Sequence, residues 1–382
     1  AASGSAEPGD ETPQLRLERR LLDGSRYGIN MLVCAGPGTV GLTNCGLSYN
    51  TSTSGGGGVF SDRGAASFTN CTLTGNSATG IGGGVFTLYS TLTLDGCTLK
   101  GNSVGTGNSA AGGGLFHYGN ASGNQATITN STFEGNSAPT GGGLFNGATM
   151  TVSDTTVDRN RAGVDGGGVY NSGTLKMNRS TVSNNAILGS GRGGGIHNEA
   201  RGTVELTNCT VAVNSVGPGN NSAGGGVYNV GKAKVTNSTV AVNSAPTGGG
   251  LFNGGALTMN NTIVAKNPKG GDFWNLYSAS VTGSNNLVVD APLGIPSGLK
   301  NTVRFDPEFS GDLAINGGLA FNGGPTLTIA LKKTSPAVDK GDNILAVDGD
   351  GNKLTTDQRG GRFSRFWGTG ATVDIGAYEY QS

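Results

Sequence analysis

The apolar positions of this chain fall into short runs separated by glycine, asparagine and serine, and from about Ser48 to Lys269 the runs recur. A glycine triplet starts at 56, 82, 112, 141, 166, 193, 224 and 248, at intervals of 26, 30, 29, 25, 27, 31 and 24 residues. Each triplet leads into an aliphatic residue and then an aromatic one: Val59-Phe60, Val85-Phe86, Leu115-Phe116, Leu144-Phe145, Val169-Tyr170, Val227-Tyr228 and Leu251-Phe252, with Ile196-His197 as the exception. A second segment places an apolar residue three positions before an asparagine, from Leu73 and Asn76 through Val264 and Asn267.

Alternation without a 3.6-residue period predicts two or three short strands per unit, too short for a helical pair. A unit this thin closes no core alone. Stacking copies one strand spacing (~4.8 Å) apart buries a continuous apolar column and pairs the backbone of each rung with its neighbours. The expected fold is all-β, a single-stranded parallel β-helix with an N-terminal strand or cap and a C-terminal cap. The glycine triplet marks a corner of positive φ or close backbone approach. The asparagine marks a second corner, tolerating the left-handed conformation and stacking its amide on its neighbours. Three segments follow: 1–30 as tail and cap or donated strand, 31–270 as repeats, 271–382 as last rungs and cap.

Composition changes this picture little. The 25 basic and 25 acidic residues cancel, so no basic field attracts nucleic acid or anionic lipid. No apolar run is long enough to span a membrane, and a charged start followed by an apolar middle is missing, so the chain reads as a mature, processed form. Cys45, Cys71, Cys97 and Cys209 share one repeat position with Ser131, Thr155, Ser180 and Ser238, which describes a small buried slot; neither a CxxC pair nor another zinc pattern accompanies them.

Leu15, Leu17, Leu21 and Leu22 fit a cap over the open first rung or a strand donated to the next molecule. At the other end Asp357, Arg359, Arg362, Arg365, Asp374 and Glu379 are expected to neutralise one another over the last open rung. The repeat, GGG-[VLI] with an apolar-x-x-Asn segment, resembles that of polymorphic outer membrane proteins. The tail, SPAVDKGDN, TDQRG and VDIGAYE, resembles the closing segment of choice-of-anchor Q domain surface proteins. These resemblances imply a secreted, right-handed parallel β-helix, extracellular or on a bacterial cell surface.

Candidate chemistry is sparse. Asp154, Asp158 and Asp165 lie within about one rung with Arg159 and Arg161 between them, while Glu134, Glu199 and Glu205 are scattered, a pattern of solvated surface charge. Asp348, Asp350 and Asn352 alternate along a glycine-rich turn that suggests calcium, but Lys353 and Arg359 stand where a helix-loop-helix calcium loop needs glycine and glutamate, so a polar turn is the plainer reading. No catalytic residue and no cofactor is assigned. The column Phe60, Phe86, Phe116, Phe145, Tyr170, Tyr228 and Phe252 is core if it points inward and a contact surface if it points outward. The leading expectation is a non-enzymatic structural subunit whose partners are copies of itself. A surface adhesin, binding polysaccharide through the aromatic column or the loops, is the second, and a polysaccharide lyase or hydrolase the third.

Overall fold

The computed structural model describes residues 14–22, 26–36, 38–107, 110–120, 123–367 and 371–381, with side chains from residue 36 onward. Its strands stack into four long sheets, each the repetition of one segment of the unit. Sheet 1 has 11 strands: β1 (Gln14–Leu22), β2 (Arg26–Ala35), then the segments after each glycine triplet from Val59–Asp62 to Phe273–Asn275. Sheet 2 has 11, from Thr39–Thr43 to Leu299–Lys300; sheet 3 has 10, from Gly46–Ser48 to Leu287–Val288; sheet 4 has 7, from Thr51–Ser52 to Ser215–Val216. Pairing between rungs is parallel and in register, so Val59, Val85, Leu115 and Leu144 lie above one another, fully buried. The exception is β1, which runs antiparallel to β2 of its own chain and forms the first edge of sheet 1. Residues 1–13, the expected tail, lie outside the described residues.

The conserved spacing of glycine and asparagine in each unit has one physical cause. Asn76, Asn102, Asn136, Asn160, Asn185, Asn214, Asn243 and Asn267 are buried inside the coil. Take Asn185 as the type. Its Oδ1 accepts from the backbone N–H and the Nδ2 of Asn160, each at 2.9 Å, while its own Nδ2 donates to Val157 O and Asn214 Oδ1, each at 2.9 Å. Every polar atom of the amide is satisfied, which a buried amide requires. The asparagine therefore does not take the left-handed corner expected of it. That conformation falls one residue earlier, at Gly75, Gly101, Gly135, Arg159, Asn184, Val213, Val242 and Lys266, and the asparagine itself turns its amide inward.

The triplet supplies the room. In 82–84, Gly82 has φ of +63°, a Cβ on Gly83 would lie 2.5 Å from Gly113 O, and one on Gly84 would lie 3.1 Å from the Asn102 amide carbon. The first glycine makes the corner; the other two allow the next rung and the amide column to close in.

The cysteine slot is as read. Cys45, Cys71, Cys97 and Cys209 are free thiols, and the position forms its own ladder in which Cys97 N donates to Ser131 Oγ at 3.0 Å and Cys209 N to Ser238 Oγ at 3.1 Å. Burial pushes the Cys209 thiol up to about 12.

The C-terminal charges pair as expected but not where expected. The end of the core is closed by a short loop, with Ala291 and Leu299 buried and Ile295 packed against the same cluster. Residues 304–367 and 371–381 instead run back along the outside of sheet 3. There Phe309, Ile329, Leu331, Ala337 and Ile375 form a second core with the outward Ala212, Ala241 and Ile263. Gln358 bridges two rungs, accepting from Thr210 Oγ1 at 2.6 Å and donating to Thr181 Oγ1 at 3.0 Å. Arg365, fully buried, donates to Glu379 at 3.2 Å and to Asn208 Oδ1 at 2.7 Å. Arg359 is paired with Asp357 at 2.6 Å and lies between the rings of Phe363 and Tyr378, while Arg362 stays exposed. The sequence expectation was a cover over the end; the small outward residues of sheet 3 make the flank the better apolar partner.

Burial pushes the Glu379 carboxyl up to about 8, against the pull of Arg365, and that of Asp374 up to about 6. Both groups bind protons more tightly folded than unfolded. The stability they contribute is full below their ordinary values near 4 and is lost as pH rises towards 8. Trp367 fluorescence, which reports on this flank segment, is expected to show detachment at lower urea at pH 8 than at pH 5, and Glu379→Gln should flatten that dependence.

Asn185→Leu removes two acceptors and two donors from the inner ladder and is expected to cost about 4 kcal/mol by urea unfolding, several unsatisfied buried groups at roughly 1–3 kcal/mol each. Cys209→Ser, which keeps the slot's size and its hydrogen bonds, should stay within about 1 kcal/mol.

Candidate functional site

Sheet 1 collects both groups of residues proposed from the sequence for assembly or binding. Leu15, Leu17, Leu21 and Leu22 lie on β1, in register with Cys34, Leu32, Tyr27 and Arg26 of β2. The aromatic column lies on the same sheet. Strand alternation buries Val59, Val85, Leu115 and their equivalents inside the coil and turns Phe60, Phe86, Phe116, Phe145, Tyr170, His197, Tyr228, Phe252 and Trp274 outward. Outward is not exposed, however: Phe86, Tyr228 and Phe252 retain less than a tenth of their surface. The rings stack along the axis, Phe116 on Phe145 at 4.4 Å and 11°, Phe145 on Tyr170 at 5.1 Å and 11°, Tyr228 on Phe252 at 4.8 Å and 9°. Their faces are covered by one another and only their edges meet solvent. The column is thus an external ladder, neither core nor open platform. It loosens at its N-terminal end, where Phe86 meets Phe116 edge-on at 78° and a hollow of about 450 Å³ opens between Phe60, Phe86 and Ile81.

Beside it, just inside the coil, runs a second amide ladder that sequence reading overlooked. Asn146, Asn171, Asn198, Asn229, Asn253 and Asn275 each follow an aromatic-column residue and are linked Nδ2 to Oδ1 at 2.7–2.8 Å. In earlier rungs His117 takes this position, its Nδ1 2.8 Å from Thr87 Oγ1, and burial lowers its pKa to about 4.

The described residues have one place where polar chemistry gathers on the outer face of sheet 1. Asp165 and Arg192 both stand immediately before a glycine triplet, so the repeat puts them in one column, bridged to each other, beside the aromatic ladder. Glu199 stands two residues after His197 on the other side. His197, 1% exposed, lies between the two carboxylates: its Nε2 is 3.3 Å from Glu199 Oε2 and its Nδ1 is 3.6 Å from Asp165 Oδ1. Tyr170 donates its hydroxyl to Glu199 Oε2 at 3.0 Å, and the Arg192 N–H donates to Asp165 Oδ1 at 2.9 Å. The Arg192 side chain leaves Asp165 and lies over the Tyr228 ring, 5.6 Å from its centroid.

Burial, reinforced by Glu199, pushes the Tyr170 phenol well above its usual value. The Glu199 carboxyl is pushed up by burial, yet the Ala200 N–H, the Tyr170 hydroxyl and His197 outweigh this and hold it below the usual carboxylate range. With Nε2 assigned as the donor to Glu199, His197 Nδ1 has no hydrogen-bond partner.

The other acids form structural pairs, and Asp158 is buried at 6% exposure, held by Ser183 and Asn184, where solvated charge was expected. Glu134 meets Lys100 at 3.1 Å, Asp154 meets Arg179 at 2.6 Å, and Asp158 meets Arg159 at 2.6 Å. In the glycine-rich turn Asp348 accepts from the N–H groups of Asp350 and Asn352, and Asp350 faces Lys176. Among the described residues no three His, Cys, Asp or Glu side chains are grouped to hold a metal ion.

Residues 90–240 match the family model described as right handed beta helix region, and that stretch includes the polar step at His197. The fold is a right-handed parallel β-helix. No curated protein matches the chain. The match agrees with a right-handed β-helix, and it leaves the chemistry to the side chains.

A histidine in a column of stacked rings interrupts it: Tyr170 to His197 is 4.8 Å at 30° and His197 to Tyr228 is 5.0 Å at 44°, against 9–11° in the well-stacked pairs. His197→Phe restores the ladder and removes a buried unpaired nitrogen. The variant is expected to be more stable than the natural protein by roughly 0.5–1.5 kcal/mol in urea unfolding, the increment typical of an aromatic pair. A loss of stability of that size would instead make His197 a structural residue.

Proposed function

We propose that the protein is a non-enzymatic structural β-helix, a rigid extracellular subunit that associates end to end with copies of itself into a surface filament or sheath. One observation carries this reading: the C-terminal end of the rod is both an edge and an apolar surface. Phe273–Asn275 is the terminal strand of sheet 1, and Tyr277 beside it is 93% exposed. With Leu293 it borders a hollow of about 340 Å³ between Asn275 and Gly298. The described residues after position 303 cover a flank, so that only the short loop carrying Ala291, Ile295 and Leu299 lies over this end.

The opposite end offers a complementary edge. Among the described residues β1 is hydrogen-bonded on one side only, to β2. Unpaired strand edges favour association, and the charges on β1, Arg16, Glu18, Arg19 and Arg20, restrict the strand that can pair there. Contact between unlike ends is heterologous and propagates along the axis. The paired surface charges and the three internal ladders serve axial continuity, which is what a load-bearing rod requires.

Negative-stain electron microscopy is expected to show fibres with an axial repeat of about 50 Å, eleven strands of sheet 1 at ~4.8 Å each. Tyr277→Asp and deletion of residues 1–22 should each give isolated rods with an unchanged circular dichroism spectrum. Fibres that persist in both variants would remove the end-to-end mechanism.

A further inference from the structure

We propose that the polar step in the aromatic ladder, formed by Asp165, Tyr170, Arg192, His197 and Glu199, is a binding site for a neutral saccharide chain lying along the outer face of sheet 1. The inference is independent of self-assembly, since the site lies on the side of the rod and not at its ends.

Two observations locate a ligand there. The first is the orphaned nitrogen of His197. The ring is almost wholly buried, and its Nδ1 faces Asp165 Oδ1 at 3.6 Å without a hydrogen bond. Two acceptors facing each other are unfavourable unless a donor comes between them. The second is Arg192, whose guanidinium has no hydrogen bond or ion pair among the described residues and rests over Tyr228 although a carboxylate lies in the same column. Five N–H donors therefore stand free beside one orphaned imidazole nitrogen and two carboxylates that can accept more bonds than they receive here.

The pattern of charge selects the ligand. An anion would pair with Arg192 but would also meet Asp165 and Glu199. An ammonium would suit the carboxylates and meet Arg192. Hydroxyl groups donate and accept at once, so a polyhydroxylated chain satisfies both sides without carrying net charge into the site. Geometry agrees: an extended hexose unit advances roughly 5 Å, close to the ~4.8 Å rise of a rung, so successive sugars keep step with the column. The ring faces of the ladder are occupied, so recognition here runs through polar edges, with the open Phe60 and Phe86 end and its hollow offering apolar contact farther along the same face.

The test titrates the full chain with three neutral hexasaccharides, cellohexaose, laminarihexaose and maltohexaose, and with hexagalacturonate and the chitosan hexamer as charged counterparts. Calorimetry gives affinity. Imidazole resonances give location, because the chain has two histidines and one, His117, is sealed inside the coil. At least one neutral chain is expected to bind and shift His197 alone, with affinity lowered at least tenfold in Asp165→Asn and in Arg192→Gln and unchanged in Lys232→Ala on sheet 2. The proposal is overturned if no neutral chain binds up to millimolar concentration, if either site variant binds as well as the natural protein while retaining its circular dichroism spectrum, or if a charged hexamer binds more tightly than every neutral one. Fibres seen by microscopy bear on assembly and leave this outcome untouched, so the two readings fail separately.

Discussion

The constraint on which the β-helix depends is the need to satisfy an amide buried at every turn of the coil. A side-chain amide taken out of water carries two donors and two lone pairs, and leaving any of them unmet costs on the order of 1–3 kcal/mol. The inner ladder meets all four by repetition. Each amide bonds the one above, the one below and a strand carbonyl, so no rung is satisfied unless its neighbours are in register. That explains the glycines as well. A Cβ on Gly84, Gly143 or Gly168 would come within about 3 Å of the facing amide. Asparagine and glycine are therefore two halves of one steric and polar requirement, and the variable insertions fall between the segments that carry them.

The same logic extends outward with a different result. On the outer face of sheet 1 the stacked rings repeat the ladder principle outside the coil, each ring burying the face of the next. Such a column is tolerant of length and needs no polar partner. It is therefore informative that at one rung it carries an imidazole, flanked by two carboxylates and followed by an arginine laid over the next ring. A ladder built for stability alone has no use for an unpaired nitrogen. The departure from the local rule sits where the outward charges of neighbouring columns converge, and residues that break a local pattern together are the ones that function best explains.

Much of this was legible in the sequence because it is periodic. Glycine triplets and the Leu73/Asn76 type of pair give the rung, the strand type and the parallel register directly, and the thiol slot follows from Cys209 sharing a position with Ser180 and Ser238. What escaped was whatever depends on two columns meeting. Asp165 was grouped with Asp154 and Asp158, and Glu199, 34 residues on, looked scattered; only the rung geometry sets the two on either side of His197. The signal was present in the alignment of Asp165 with Arg192, each just before a triplet. The left-handed corner was misplaced by one residue, because an inward amide and a positive φ were assigned to one asparagine when adjacent residues divide the two tasks.

The flank segment shows how a change along the repeat can announce a change in surroundings. The outward residue of sheet 3 is Thr74, Lys100, Glu134 and Asp158 in the early rungs and Ser183, Ala212, Ala241 and Ala265 in the later ones. Charge gives way to small apolar side chains where Ile329, Ala337 and Ile375 settle on them. A strand buried on both faces loses its alternation, so the shift from charged residues to alanine within one column marks a covered face before any partner is known. By this criterion the outer face of sheet 2, where Thr203, Glu205, Lys232, Lys234 and Thr258 alternate with the core residues, is a polar face, and the turn at Asp348 and Asp350 meets it through the polar side chains Lys176 and Lys234. The rod is thus sided. One flank is sealed by its own chain, one is largely polar, and the aromatic flank combines partial burial with an orphaned imidazole nitrogen and an unpaired guanidinium among the described residues, which is the combination that the proposed ligand would complete.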